Sequence, residues 1–361
     1  MKILHLGNET WDSGLTEYSL VLAAAQQSAG REVLYLARAG SHASRRAYKL
    51  GIKGAAFRGW RDFYKLVRMA RHFAPEVINA HTGGSHTMAV ALNAFLKSPA
   101  AIVRTRADAR PAQRRLFSGP LWKRTNGFMA ANSLILADFK RLGLSGVCAD
   151  MVGQGIFDGA PAAKPPKKDN IFRVAIVARL DPVKGHRTAI EAFARLLKTC
   201  PQARLEVSGE DCNISAAQLR QFTDRLGISS SVEFRGRVPD VFEYMSGFDA
   251  GIVPSLGSEA VSRAALEWQC CGVPVVASAV GGLPDMVRDG VNGFLVPPGD
   301  TALLAAALSK LAAEPELAAQ MGRSARENYL SGHTPQAFEQ AAYDLYEWAI
   351  CGVSRRQRKG A

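Results

Sequence analysis

The chain has 361 residues, of which 47% are apolar and 21% are charged, and its formal net charge is +13. This length is long for one domain, and the apolar fraction is ordinary for a globular protein. No apolar run approaches the ~18 residues of a membrane-spanning helix, so the composition argues against a segment that crosses a bilayer.

The N-terminal half alternates segments typical of buried strands with segments typical of helices. Its predicted strands are KILHLG, EVLYLAR, PEVINAH and AAIVRTR, and its predicted helices are TEYSLVLAAAQQSAG, DFYKLVRMARHFA, SHTMAVALNAFL and GFMAANSLILADFKRLG. The first strand has too short an apolar run for a secretory signal. This alternation predicts a parallel sheet built from βαβ units.

Residues 156–170 separate this half from a second one. They are rich in Pro, Ala and Lys and lack apolar periodicity, which predicts a linker between an N-terminal domain, 1–155, and a C-terminal domain, 171–334. The second domain repeats the alternation of strands and helices. A last helix, TPQAFEQAAYDLYEWAI, and a basic tail follow it.

The excess of positive charge lies in the first domain. Residues 1–155 contain 22 Lys and Arg against nine Asp and Glu, whereas residues 156–361 contain 23 of each. Two basic clusters, 58–72 and 104–124, include aromatic side chains. Either a solvated face or a surface for an acidic partner, such as anionic lipid or a phosphorylated acceptor, accounts for them. The aromatic residues favour a membrane surface, and no motif for binding nucleic acid accompanies the charge.

The chain has six cysteines, and none of their spacings is typical of a metal site. We therefore expect buried thiols in a reducing compartment, and a cytoplasmic protein. No D-x-D sequence occurs either, so a metal ion held by paired carboxylates is not indicated.

Two glutamates eight residues apart, Glu259 and Glu267, form the most informative motif. Glu259 follows a predicted strand at 250–255, and Glu267 lies about two turns into a helix that is predicted to start near Val261. At ~1.5 Å per residue the two carboxylates are spaced along one ligand. The free N–H groups of Val261 and Ser262 would hold a phosphate between them, which suits a nucleotide-sugar. The alternative is two ordinary glutamates on a surface helix.

The motifs around this pair resemble those of glycosyltransferase family 4. They include Arg179 and Lys184 in R-x4-KG after a strand, G-x-V-x-D at 236–240, and PVVAS-x-x-GG-x-P after the second glutamate. The resemblance is dense over 172–300 and thinner before it. It implies an α/β protein of the GT-B fold, in which two Rossmann-like domains face a central cleft. It further implies that the donor binds the C-terminal domain, that the acceptor binds the N-terminal domain, and that the last helix, 335–361, packs back on the first domain.

The resemblance also implies roles for the donor side chains. Arg179 and Lys184 would neutralise the diphosphate leaving group, Glu267 would hold the ribose hydroxyls, and Glu259 would contact the donor sugar. The resemblance adds donor contacts through backbone at Gly14, Gly209, Val238, Val261 and Ser262.

The N-terminal half departs from the family pattern in two places. His81 matches the second histidine of an H-x-H motif whose first position is Asn79, and either a structural or a catalytic role is open for it. Ala107 stands where many relatives carry a histidine over the reacting sugar. The acceptor is therefore expected to contact Asp108, Arg104 or Arg106 instead.

The resemblance implies a retaining transfer that needs no metal ion and no cofactor. We expect a sugar to move from a UDP-, GDP- or ADP-sugar to a membrane-associated acceptor, in the synthesis of a cell-envelope glycan such as lipopolysaccharide or exopolysaccharide. The protein would then work as a peripheral protein at the inner face of the cytoplasmic membrane. Two alternatives stay open: a phosphorylase or nucleotide-sugar epimerase of the same fold, and a sugar-binding protein without catalysis.

Overall fold

A computed structural model describes residues 1–10, 14–108, 119–144, 146–162, 169–257 and 259–360, the side chains of 353–360 excepted. The chain forms two compact units. Unit 1 contains Met1–Phe157 and Thr334–Ala361, and unit 2 contains Asp158–His333. The chain therefore passes from unit 2 back into unit 1 just before the last helix.

Unit 1 is built on a parallel sheet of seven strands in the order β3-β2-β1-β4-β5-β6-β7. The strands are β1 Lys2–Leu6, β2 Glu32–Arg38, β3 Gly54–Phe57, β4 Val77–Ala80, β5 Ala101–Arg106, β6 Gly127–Ala130 and β7 Cys148–Met151. The order reverses between β1 and β4. In open parallel sheets, ligands bind beyond the carboxyl ends of the strands at such a reversal.

The helices of unit 1 cover this sheet. They are α1 Gly14–Ser28, α2 His42–Lys49, α3 Phe63–Phe73, α4 Gly83–Asn93, α5 Gly119–Lys123 and α6 Ser133–Arg141. The prediction that GFMAANSLILADFKRLG is one helical stretch is wrong, because its first four residues form the buried strand β6. The Asn132 side chain then accepts a hydrogen bond from the backbone N–H of Ile135 (2.8 Å), and this cap starts α6.

Unit 2 is built on a second parallel sheet, of six strands in the order β10-β9-β8-β11-β12-β13. The strands are β8 Arg173–Val177, β9 Arg204–Ser208, β10 Val232–Gly236, β11 Ala250–Val253, β12 Val275–Ser278 and β13 Gly293–Val296. The helices are α7 His186–Leu196, α8 Ala216–Arg225, α9 Val241–Ser246, α10 Arg263–Cys270, α11 Leu283–Met286, α12 Thr301–Ala313 and α13 Pro315–Gly332. Here the order reverses between β8 and β11.

The last helix, α14 (Pro335–Gly360), belongs to unit 1. Phe338 packs edge-on against Tyr18 of α1, with ring centroids 4.8 Å apart. The hydroxyl of Tyr346 accepts a hydrogen bond from the Asn79 side chain (2.6 Å), and Arg31 pairs with Glu339 (3.0 Å). Buried aromatic and polar contacts therefore hold this helix on the unit 1 core.

The cysteines are less uniformly buried than the sequence predicted. Cys148, Cys270 and Cys271 are buried, but Cys212 and Cys351 are exposed. None of the described helices is long and apolar enough to cross a membrane.

Candidate functional site

The loop between β8 and α7 carries Arg179 and Lys184, and three side chains fix its shape. The Asp181 carboxylate accepts from the backbone N–H of Val183 (3.1 Å) and from the Asn213 side chain (2.7 Å). His186 donates from Nε2 to the Arg179 carbonyl (3.0 Å), because a carbonyl can only accept. The loop is therefore held in one conformation beyond the carboxyl end of the sheet.

Gly185 follows Lys184 and permits a close approach of two backbones. Its φ of +71° is in the left-handed region, and a Cβ there would lie 1.9 Å from the Pro254 carbonyl oxygen. The R-x4-KG motif thus needs glycine at its last position because the loop passes directly over the end of β11.

Lys184 and Glu259, 75 residues apart in sequence, form a direct ion pair. The hydroxyl of Ser255 also donates to the Glu259 carboxylate (2.6 Å). Glu259 is buried, with 3% of its surface exposed, so the ammonium of Lys184 offsets a charge that water barely reaches. The sequence motifs assigned Lys184 to the diphosphate of the nucleotide-sugar and Glu259 to its sugar. In the structure the two side chains are bonded to each other.

The two glycines of the GG-x-P motif contact the backbone of Glu259. The N–H of Gly282 donates to the Glu259 carbonyl (2.7 Å). Gly281 has a φ of +57°, and a Cβ there would lie 2.0 Å from the same carbonyl oxygen. This pair of glycines therefore lets the Glu259 backbone sit against the end of β12.

Helix α10 starts at Arg263, two residues later than predicted. Ser262 is its N-cap (φ −107°, ψ 90°), and its side chain makes no capping bond. Val261 and Ser262 therefore lie before the first turn, and the N–H groups that open the helix begin at Arg263.

Arg263 is a site residue that the sequence interpretation missed. Its Nε donates to the Glu267 carboxylate (2.6 Å), one helical turn further on. Glu267 is buried and Arg263 is half exposed, so the carboxylate predicted to hold the ribose is held by a surface arginine. The i, i+4 spacing of opposite charges was the available signal.

Gly209 and Val238 lie at the same edge of the unit 2 sheet. Gly209 follows β9 with a φ of +155°, and a Cβ there would lie 1.9 Å from the Ala178 carbonyl oxygen. Val238 is half-buried in the loop after β10. Because all six strands are parallel, these positions and Arg179, Lys184 and Glu259 follow the carboxyl ends of their strands.

In unit 1, His81 lies at the end of β4 and is fully buried. Its Nε2 is 2.9 Å from His5 Nδ1, and His5 Nε2 is 2.7 Å from the side-chain oxygen of Gln26. Burial lowers the pKa of His5 to about 4 and holds the pKa of His81 well below its ordinary value. Both rings are therefore neutral at pH 7.

The three residues expected at the acceptor lie along and after β5. Arg104 is buried and donates to the carbonyls of Ala80 (3.2 Å) and Thr105. Burial lowers its pKa to about 10, and the nearby charges of Asp108 and Glu9 oppose that shift. Arg106 instead pairs with the Asp108 carboxylate (3.1 Å).

Glu9, directly after β1, was also missed by the sequence interpretation. It is 5% exposed, and neither carboxylate oxygen has a hydrogen-bond partner within the described part of the chain. Burial raises its pKa, and the nearby backbone N–H of Glu9 and the Arg104 guanidinium oppose that shift. An acidic residue at the end of the first strand of a parallel sheet was the available signal.

Gly14 is the exposed first residue of α1. Residues 11–13, which precede it in the predicted phosphate loop, lie outside the described residues, as do Arg114 and Arg115 of the second basic cluster. Over the described ranges, no three His, Cys, Asp or Glu side chains are grouped so that they could hold a metal ion.

The buried histidines of unit 1 predict a loss of stability in mild acid. Burial lowers the pKa of His86, which bonds Thr125 (2.8 Å), from 6.5 to about 3, and that of His5 from 6.5 to about 4. Below pH 6.5 the unfolded chain binds the proton and the folded chain does not. Each histidine should therefore remove ~1.4 kcal/mol of unfolding free energy per pH unit as the pH falls from 6.5 towards these values.

Urea unfolding at pH 7, 6 and 5 measures this slope, above the range in which most carboxylates titrate. The variant His86→Gln keeps a donor for Thr125 and does not titrate, so its slope should be shallower than that of the wild type. Identical slopes for the two proteins would contradict the assignment to His86.

Comparison with known proteins identifies the class to which this fold and site belong. Residues 161–328 match the model of the family described as "Glycosyl transferases group 1". The predicted family resemblance is thereby confirmed.

Solved structures confirm the predicted GT-B fold. The structure of Anabaena Alr3699/HepE in complex with UDP matches with a TM-score of 0.80 and 20% identity, over 95% of this chain and 99% of that one. A glycosyltransferase from Rickettsia africae matches with a TM-score of 0.82 and 14% identity, over 97% and 98% of the two chains.

Curated relatives match over a shorter stretch. The D-inositol 3-phosphate glycosyltransferase of Acidothermus cellulolyticus is 37% identical over 175 residues, which are 46% of this chain and 39% of the relative. The protein of the same name from Mycobacterium leprae is 40% identical over 160 residues, 42% of this chain and 35% of the relative. The matches thus span less than half of the relatives' own length.

Proposed function

We propose that the protein is a glycosyltransferase that moves a sugar from a nucleotide-sugar to an acceptor hydroxyl. The observation that carries this proposal is the cluster of Lys184, Glu259 and Ser255, built by the R-x4-KG, E-x7-E and GG-x-P motifs at one sheet edge. The family match over 161–328 supports it. So does the UDP in the complex of the Anabaena protein, whose fold is the same.

In this proposal the donor diphosphate lies beside Arg179 and Lys184. As the bond between the anomeric carbon and the phosphate oxygen breaks, negative charge grows on the phosphate and both cations stabilise it. Lys184 has three donors and Glu259 has several acceptor sites, so the pair can stay bonded while each binds the donor. Glu267 accepts hydrogen bonds from the ribose hydroxyls. The guanidinium of Arg263 keeps the Glu267 carboxylate in the orientation that this needs.

The transfer is proposed to retain the anomeric configuration and to need no metal ion. The acceptor oxygen attacks the face that the phosphate leaves, and the leaving phosphate takes the hydroxyl proton. The two cations would supply the charge that a metal ion supplies elsewhere. Backbone at Gly209 and Val238 would hold the nucleoside, and backbone at Gly14 the phosphate.

Release of nucleoside diphosphate from UDP-, GDP- and ADP-sugars, with and without a cell-envelope extract, tests this function. We expect one donor to turn over, acceptor-dependently and in the presence of EDTA, and the product to show the donor's anomeric configuration by NMR. Binding without release would favour a sugar-binding protein. With inorganic phosphate added, release of sugar 1-phosphate from the glycans of the extract, with the nucleotide-sugar unchanged, would favour a phosphorylase. An isomerised donor would favour an epimerase.

We further propose that the acceptor is membrane-associated, such as a lipid-linked or phosphorylated cell-envelope glycan. A basic aromatic surface on unit 1, formed by exposed side chains just before α3 and on it, and by Phe95 after α4, supports this proposal. Its members are Trp60, Arg61, Tyr64, Lys65, Arg68 and Phe95. Phe63 packs between Trp60 and Phe95, at centroid distances of 5.3 and 5.8 Å, so the aromatic rings form a continuous group. Cations beside exposed rings suit an anionic bilayer surface.

Vesicle sedimentation tests the basic aromatic surface. The variant Arg61→Ser/Lys65→Ser/Arg68→Ser should lose most of its binding to anionic vesicles, since each cation is worth about 1 kcal/mol there. Wild-type binding should fall as salt is raised and be absent on neutral vesicles. As a control, Arg220→Ser/Arg225→Ser on unit 2 should bind like the wild type. Equal binding to both lipids would contradict the proposal, and so would an unchanged triple variant.

A further inference from the structure

We propose that Glu9 and His81 form a binding site in unit 1 that accepts hydrogen bonds from the hydroxyl groups of a neutral polyol. This inference deepens the proposed function, on which it rests only in taking the polyol to be the uncharged ring of the acceptor that receives the sugar.

The first observation is that no side chain of the described residues donates a hydrogen bond to Glu9, and that only the backbone N–H groups of Asn8 and Glu9 lie near its carboxylate. Its carboxylate is buried, and neither oxygen is bonded within the described residues. The Tyr35 ring is close by, because a Cβ on Gly7 would lie 2.9 Å from Glu9 Oε2 and 3.3 Å from the Tyr35 hydroxyl. The hydroxyl proton of Tyr35 is not available to Glu9, however. Ser19 donates to the Thr16 carbonyl (2.8 Å), so in the 2.6 Å contact between the hydroxyls Tyr35 must donate to Ser19.

The second observation is the tautomer of His81. The Gln26 oxygen can only accept, so His5 carries its proton on Nε2 and leaves Nδ1 as an acceptor. His81 must then donate from Nε2 to His5 Nδ1. Its own Nδ1 is left as an acceptor, and that atom is buried without a partner in the described ranges. The chain of bonds from Gln26 thus ends in an acceptor that lacks a donor.

The third observation is the place of these groups in the fold. Glu9 and His81 follow β1 and β4, which are adjacent in the sheet at the reversal of strand order. Arg104 lies on the next strand, β5. This is the edge at which open parallel sheets bind ligands. Two unpaired buried acceptors there cost free energy that a ligand's donors would recover.

The charged side chains around Glu9 indicate which class of ligand fits the site. Arg104 lies near Glu9, and its cation balances the carboxylate, so an ammonium group gains little here. A phosphate gains little either, because the Arg104 charge is already offset by the Glu9 carboxylate. Arg106 is paired with Asp108 and supplies no unpaired cation for a phosphate. Hydroxyl groups donate hydrogen bonds without adding charge, and a sugar or cyclitol ring offers several of them.

Saturation-transfer NMR with myo-inositol and with methyl α-D-glucopyranoside, in the presence of UDP, tests this inference. At least one polyol should give a signal with the wild type, and Glu9→Gln should reduce it at least tenfold. The matched control is Glu17→Gln, which changes another glutamate of unit 1 that pairs with Arg46 (3.6 Å). It should leave the signal unchanged.

Two further measurements distinguish a loss of polyol binding from a loss of folding. The melting temperature of Glu9→Gln should equal or exceed that of the wild type, because no hydrogen bond within the described residues is lost. UDP binding by calorimetry should be the same in all three proteins. No signal from the wild type with either polyol would overturn the inference, as would equal signals for Glu9→Gln or a markedly lower melting temperature. Failure of the wild type to bind UDP would count against the proposed function alone.

Discussion

Replacing Lys184 with alanine is expected to lower kcat/KM for nucleoside diphosphate release by about 30- to 1000-fold. This is the roughly 2–4 kcal/mol associated with one preorganised charge that stabilises a transition state. Two losses combine in this variant. The diphosphate loses a cation, and the buried Glu259 carboxylate loses the partner that offsets its charge.

Steady-state kinetics on three variants separates these losses. Lys184→Arg keeps the charge and should retain more activity than Lys184→Ala. The double variant Lys184→Ala/Glu259→Gln should lose less than the sum of its single changes, because the two groups contact each other. Lys198→Ala, on an exposed position of unit 2, is the matched control. Activity of Lys184→Ala within threefold of the control would remove Lys184 from the mechanism.

Replacing Gly281 with alanine is expected to lower the free energy of unfolding by roughly 3–5 kcal/mol and to abolish nucleotide binding. The left-handed backbone accounts for about 1–2 kcal/mol of this loss. The remainder arises because the new Cβ would lie 2.0 Å from the Glu259 carbonyl oxygen. Relief requires the backbone of Glu259 to move, and its carboxylate moves with it.

The variant Gly290→Ala separates the effect of the contact with Glu259 from the effect of the left-handed backbone. Its φ of +72° resembles that of Gly281, but a Cβ there would have nothing within 4 Å. Gly290→Ala should therefore lose only about 1–2 kcal/mol and bind nucleotide like the wild type. Urea unfolding and calorimetry with UDP check both variants. Similar losses in the two would mean that backbone conformation alone explains the glycine.

The sequence predicted the α/β class and most of the donor motifs because both depend on local patterns. Runs such as those of β8, β11 and β12 are apolar and continuous, as in parallel strands buried on both faces. The short edge strands β3 and β7 and the strand β6 were missed. Each has only four residues, too few to show a period beside a longer helical pattern.

The contacts of the candidate site depended on topology and were less predictable. Lys184 meets Glu259 only because β8 and β11 are adjacent in the unit 2 sheet. Glu9 and His81 likewise follow two strands, β1 and β4, that are neighbours only in the folded sheet. The start of α10 was predicted two residues too early, since Val261 and Ser262 carry no strong signal for a helix boundary.

The position of α14 in the chain constrains the order of folding during synthesis. The ribosome makes all of unit 2 after β7 and before Phe338 and Tyr346 exist. Until then, the surface of α1 around Tyr18 lacks the ring that covers it, and Asn79 lacks its tyrosine partner. Unit 2 is continuous in the chain and can complete its core first. The nascent N-terminal sheet keeps this apolar surface exposed in the meantime, and such exposure favours aggregation during synthesis.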